Sequence, residues 1–404
     1  MIKPLILGII LITAGLAASG QTTQSDQSLI KARYLVSEKM YAAAVSALEN
    51  QQASGQDPMR SALTMGKALS AMGRIEESNR WLLQVTGEGA AEAFYCVAKN
   101  YIALNDFPDA ILYLRKHLAD KNHYTEKRIR LDQAFIKLEN SRDWVHLWQA
   151  EWFSEPEKQA DECEYLISQG QLDEARLLVN QAFTNYPKEP HFWFLLAKIN
   201  YLQNDNRQFR QSLEKAWQLA SGNLTLKDHL LQFTLETKYY EKANEMASEL
   251  IREDPTNPEY LITRALVRIL DGKESLALKE IEAIRAAGIA PAELYYQAGR
   301  KISLSLPQEA EAYLTRAIDT GIMDARFYYA RGVVRNALEK IDLALGDMAM
   351  SLDINPNQPD LYVERAQLRL NTGNTDGACH DWQKALEMGN AKAADLLYKY
   401  CKLP

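Results

Sequence analysis

The chain has 404 residues, 47% of them apolar, with 13 prolines, 19 glycines and a formal charge of −7. Sparse helix breakers among abundant Ala, Leu, Glu and Lys favour helix over sheet, and mild acidity without long runs of one sign excludes nucleic-acid binding driven by net charge. The cysteines Cys96, Cys163, Cys379 and Cys401 show no CxxC spacing, so neither a zinc site nor a redox motif is expected.

Residues 1–20 open with Lys3 and continue as an uncharged apolar run over 5–18, followed by Ser19 and Gly20. The run is short of the roughly 20 residues a helix needs to cross a bilayer. It has the form of an export signal cleaved near Gly20-Gln21. The expectation is an exported chain working in the periplasm or cell envelope, with an uncleaved N-terminal anchor as the alternative.

From residue 25 the chain repeats. Blocks start at Ser25, Met59, Ala91, Thr125, Pro156, Pro190, Leu224, Pro258, Ala292, Ala325 and Pro359, and most are 34 residues long. The frame is plainest at the end, where Tyr328, Arg331, Gly332, Arg335, Ala344 and Met348 are followed 34 residues later by Tyr362, Arg365, Ala366, Arg369, Ala378 and Trp382. A period of this length marks a solenoid. Counting from each block start, position eight is usually Ala or Gly and position twenty usually Ala. Two small residues twelve apart suit two antiparallel helices that cross closely. Turn signals such as Met72-Gly73, Asn105-Asp106 and Asp271-Gly272 fall between them. Each block therefore predicts helix, turn, helix.

The block from Thr125 departs, with Asp132 and Trp144 at the two small positions. Trp144, Trp148 and Trp152 share one helical face. They are expected to fill a wider gap where the stacking breaks, the alternative being an aromatic ligand platform. The break predicts a hinge near 125–160, dividing divergent repeats over 21–155 from a regular array over 156–390. Residues 391–404 predict a helix that caps the exposed end.

Small residues at eight and twenty, large apolar or aromatic ones at four and twenty-four, and proline near thirty-two (Pro187, Pro255, Pro356) resemble the tetratricopeptide repeat over about 25–390. The resemblance implies an all-α, right-handed α-solenoid of about eleven units. It implies a non-catalytic scaffold that holds a protein or peptide on a concave surface lined by positions two, five, nine and twelve of each first helix. There, Tyr95, Lys99, Phe194, Lys198, Tyr296, Arg300 and Tyr329 are the expected partner-binding residues. A basic, aromatic-studded groove suits an extended acidic peptide; a solvated face with incidental charge is the alternative. The partner could in turn associate the chain with the outer membrane. The Lys and paired Asn of chaperone-tail-binding members are not found in that arrangement, so that activity is not expected.

Position seven carries Arg264, Arg331 and Arg365, and sixteen residues on stand Glu280, Asp347 and Asp381. Constant spacing predicts an internal ladder of arginine–carboxylate bonds, with a charged binding stripe as the alternative. Arg268, Arg335 and Arg369 at position eleven show no such partner and are candidates for a surface role. Cys379 and Cys401 lie at near-equal offsets from Gly389, which allows a disulfide pinning the cap; two buried free thiols are the alternative. No catalytic motif, nucleotide loop or metal spacing is present and no cofactor is expected. Two further function classes remain, a structural subunit of an envelope assembly or secretion machine, and an envelope hydrolase using Glu164, Asp228 or Glu236.

Overall fold

The computed structural model describes residues 24–49 and 57–401, and the expected export signal lies outside them. Among the described residues are twenty-three α-helices, two short 3-10 helices and no strand. The chain is an all-α solenoid of helical hairpins. The first three are α1 (Gln24–Ser37) with α2 (Tyr41–Glu49), α3 (Pro58–Ala71) with α4 (Ile75–Leu82), and α5 (Ala90–Ala103) with α6 (Phe107–Leu118). An irregular block follows with α7 (Glu126–Arg130), a 3-10 turn over Gln133–Leu138 and α8 (Arg142–Leu147). Regular pairs resume as α9 (Glu155–Ser168) with α10 (Leu172–Asn185), α11 (Pro190–Leu202) with α12 (Asn206–Leu219), and α13 (Leu224–Glu236) with α14 (Tyr240–Glu253). The remainder are α15 (Pro258–Leu270) with α16 (Glu274–Ala286), α17 (Ala292–Ile302) with α18 (Pro307–Asp319), α19 (Ala325–Ala337) with α20 (Ile341–Ile354), and α21 (Pro359–Asn371) with α22 (Thr375–Glu387). Helix α23 (Ala391–Tyr400) closes the array. No described helix is long and apolar enough to cross a membrane.

The first helices end alike. In nine blocks the residue at position fifteen takes a left-handed backbone, from Lys39, Gly73 and Asn105 through Glu339 and Gly373, with φ between 59° and 85°. The next amide then reaches back to the carbonyl at position eleven, as in Arg74 to Leu69 (3.0 Å), Asp205 to Asn200 (2.9 Å) and Asn374 to Arg369 (2.9 Å). This closure satisfies carbonyls that the helix end leaves open and turns the chain sharply enough for an antiparallel return.

The small residues sit where each pair crosses. Ala98, Ala110, Ala366 and Ala378 are fully buried. A Cβ on Gly299 would come within 2.6 Å of Leu314 Cγ and 3.1 Å of the Ala310 carbonyl, so nothing larger than glycine fits without a shift. Where Phe209 replaces the usual Ala, its ring joins Tyr201, Phe233 and Tyr239 in one aromatic group.

Asp132 explains the irregular block. Its Oδ1 accepts the Ala134 amide at 2.9 Å, a local bond that competes with continued helix and starts the 3-10 turn instead. The shortened helices leave room, and aromatics fill it. Trp144 is buried against Phe135 and Trp148, and Trp152 donates its ring N–H to the Leu147 carbonyl at 2.6 Å.

The chain divides into two compact units at Leu261 and Ile262, inside α15 and well beyond the irregular block. In the second unit, α23 lays Ala393 and Leu397 on the core formed by Ala366, Ala378, Trp382 and Ala385. Cys379 and Cys401 are disulfide-bonded with Cα atoms 5.8 Å apart.

Candidate partner-binding face

In the unit ending at Leu261, charged residues of the first helices, and Asp132 at the 3-10 turn of the irregular block, pair from one block to the next. Lys67 meets Glu92 (2.6 Å), Lys99 meets Asp132 (3.0 Å) and Lys198 meets Glu164 (2.9 Å). Residues from more distant first helices also act on one another. The His229 imidazole on α13 is held below its ordinary value, first by loss of solvent around it, then by Lys198 on α11 and by Arg128 on α7, three blocks back. Side chains this far apart in the stack converge only on the inside of its curve. The first helices therefore line the inner face, and Asp161, Glu164 and His229 are exposed on it.

The expected aromatic groove is corrected by where the rings go. Tyr95 is 6% exposed, donates its hydroxyl to Asp132 (2.7 Å) and packs on His117, Tyr124 and Phe135. Phe194, at 4%, packs on Phe233, and Tyr296, at 6%, packs on Phe327. A position-five ring is covered by the following block, because burying an aromatic there removes more apolar area from water than displaying it would. Tyr329 is the half-buried exception and donates to Glu364 at 3.1 Å. What the pattern does produce is a cation one helical turn on from each ring. Lys99 lies 5.7 Å from the Tyr95 centroid, Lys198 4.3 Å from Phe194 and Arg300 5.5 Å from Tyr296. Lys99 and Lys198 already hold acids. Arg300 and, in the other unit, Arg128 are exposed and carry no ion pair among the described residues.

In the unit from Ile262, Arg331 grips Asp347 with two bonds (2.9 and 2.8 Å) and Arg365 grips Asp381 likewise (2.9 and 2.6 Å), while Arg264 Nε donates to Glu280 at 2.8 Å. The surface role expected for the position-eleven arginines is overturned. Arg268 takes the other oxygen of Glu280 at 2.6 Å, and Arg335 and Arg369 donate to the Oδ2 atoms of Asp347 and Asp381 at 2.9 and 2.8 Å, each shared with the first arginine's Nε. One carboxylate has lone pairs for both arginines, and the acid lies twelve residues on in every case, a spacing plain in the sequence once a shared acid is considered. Asp381 is fully buried beneath its two arginines.

The acids weighed for hydrolysis have separate partners. Glu164 holds Lys198, and Asp228 accepts the Tyr260 hydroxyl. Among the described residues no three His, Cys, Asp or Glu are grouped to hold a metal ion. Cys96 is half-buried beside Glu92 and Lys67, with its thiol pushed up to about 11 chiefly by burial, and Cys163 is buried. One contact had no sequence signal at all. Arg33 on α1 bonds to Asp254, 221 residues away.

Residues 163–223 match a family model described as tetratricopeptide repeat. A curated relative, the DnaJ homolog subfamily C member 7 homolog of Dictyostelium discoideum, is 24% identical over 294 residues, 67% of this chain and 52% of its own length. The chain spans about half the length of the curated relatives it matches. Among solved structures, MamA aligns at 23% identity over 41% of this chain and 96% of its own, with a TM-score of 0.37. YrrB, described as a TPR protein with an unusual peptide-binding site, aligns at 18% over 46% of this chain and 97% of its own, with a TM-score of 0.39. The family match is seated on α9 to α12, so residues 163–223 are tetratricopeptide repeat, and the same hairpin, turn and small-residue crossing recur on either side of them.

Proposed function

We propose that this protein is a non-catalytic scaffold in the cell envelope that holds an extended segment of a protein partner against the first-helix face of the unit ending at Leu261. A tetratricopeptide-repeat solenoid is a protein-interaction fold, and that much is general. The observation that carries the finer reading is the ion pairing of consecutive first helices, Lys67 with Glu92 and Lys198 with Glu164, with Asp161, Glu164 and His229 exposed on the same face. Because Lys67, Lys99 and Lys198 already hold acids, an acidic stretch on this face would be met by Arg128. Action outside the cytoplasm is supported by the apolar run over residues 5–18 and agrees with a bonded Cys379–Cys401 pair.

The test is site-specific photo-crosslinking in intact cells. A photoreactive residue at His229 is expected to capture protein, while one at Leu177, exposed on the second helix α10, is not. Capture from Leu177 alone would sink the inner-face reading. N-terminal sequencing of the purified protein is expected to begin at Gln21, and an intact Met1 on cytosolic protein would sink the export reading.

A further inference from the structure

Blocks of a solenoid touch their neighbours and little else. The unit ending at Leu261 breaks this rule. Arg33 Nη1, in the first block, lies 3.0 and 2.8 Å from the two carboxylate oxygens of Asp254, at the end of the seventh. The same nitrogen donates to Thr256 Oγ1 at 2.8 Å, and the Thr256 hydroxyl in turn donates to Asp254 at 2.8 Å. Arg60 Nη1, on α3, stands 3.5 Å from Asp254. Nearby, Glu259 of the next block stands beside Ser37 and close enough to Glu38 to be repelled by it. Burial alone would raise the Asp254 carboxyl, but Arg33 and Arg60 outweigh it and hold the group below its ordinary value. First and seventh blocks are thus joined across the five blocks between them.

These bonds are all polar, and the Arg33 side chain is 22% exposed, within reach of competing ions. Asp254 is buried, so the junction is stable only with its arginines in place. We propose that the Arg33–Asp254–Thr256 clasp, backed by Arg60, is a gate. Closed, it screens the inner face of this unit from large molecules; open, it admits the extended segment assigned to that face above.

Cys96 is a natural reporter, half-buried on α5 beside the Lys67–Glu92 pair, whereas Cys163 is buried and Cys379 and Cys401 are bonded. The full chain is labelled with N-ethylmaleimide and, separately, with a bulky polyethylene-glycol maleimide. The ratio of the two rates at Cys96 cancels the intrinsic reactivity of the thiol. An Asp254→Ala variant, or the unaltered protein at high salt, is expected to raise the large-to-small ratio about tenfold as the open form becomes populated. An oxidised Arg33→Cys/Thr256→Cys pair is expected to keep the ratio low at high salt. The proposal is overturned if the ratio is unchanged in Asp254→Ala while Cys163 stays protected, or if the introduced cysteines fail to bond in the folded chain. No partner enters this test, so a failed gate leaves the scaffold reading standing, and a working gate with no capture at His229 breaks only the latter.

Discussion

Position twenty-three of a block is Ser212 in the unit ending at Leu261 and Asp381 in the unit that follows, and the difference sets how each hairpin is held. Around Ser212 the bonds are neutral or singly charged. Asn200 donates to the serine hydroxyl at 3.0 Å and accepts from Arg176 of the preceding block at 2.6 Å. Asn100 plays the same part earlier, donating to Ser78 and Asn79 of the block before it. Around Asp381, two arginines of the same block share one buried carboxylate. The first arrangement ties a hairpin to its neighbour, and the second ties a hairpin to itself. Equivalent positions in one repeat frame can thus serve cohesion between blocks or rigidity within them.

The sharpest way to break this comparison is to remove each anchor. Asp381→Ala strands two guanidinium groups and is expected to cost about 3–5 kcal/mol, whereas Ser212→Ala is expected to cost about 1 kcal/mol. Hydrogen exchange of α21 and α22 against α11 and α12 measures both, and equal losses would erase the distinction. Cys379→Ala/Cys401→Ala removes a 22-residue covalent loop from the second unit; the chain-entropy account expects a loss of about 3 kcal/mol, read as lost protection in α23. If α23 stays protected, packing of Ala393 and Leu397 alone holds the cap. Gly299→Ala pushes a Cβ into Leu314 and the Ala310 carbonyl and is expected to cost about 1–3 kcal/mol. Gly332→Ala, whose nearest atoms would be 3.3 Å away, should cost less. Calorimetric melts of the two variants rank them.

The smallest effect depends on pH and lies in the other unit. His117 is buried, donates from Nδ1 to the Ala91 carbonyl and accepts the Tyr124 amide, so it folds as the neutral ring. Its pKa is pushed down to about 4, chiefly by burial. The unfolded chain therefore takes up the proton first, and stability falls as pH drops below the ordinary histidine value, by about 1 kcal/mol near pH 5.5. His123 has the opposite sign, since Glu157 raises it and its contribution is lost as pH rises through the folded value. Comparing acid titrations of the wild type and His117→Gln isolates the first effect, and identical acid limbs would exclude it.

Much of the fold was legible in the residues. Helical hairpins follow from small residues twelve apart with a turn between them, and position fifteen marks nine of the turns whether it is Gly73, Asn105 or Lys238. Position seven to position twenty-three is a fixed step, so the pairing of Arg331 with Asp347 is readable. The second arginine was hidden only by assuming one acid per arginine. The inner face was less legible. Residue type at Tyr95, Phe194 and Tyr296 does not say whether a ring meets solvent or the next block, because that depends on how closely consecutive hairpins stack. The Arg33–Asp254 bond was not legible at all. It depends on curvature accumulated over seven blocks, and no local pattern encodes that sum.

The shared carboxylate has a consequence for how this chain can change length. Arg365, Arg369 and Asp381 all lie inside one 34-residue frame. A copy of that frame inserted in register would arrive with its arginines already matched to an acid, and its removal would take all three away together. Lys198 and Glu164 lie in different frames, so losing either block leaves an orphan charge behind. The hairpin clamped by Asp381 is a self-contained part, whereas Arg335, which also holds Glu311 of the preceding block, and Lys198 belong to fitted assemblies whose blocks have to be gained or lost as a set.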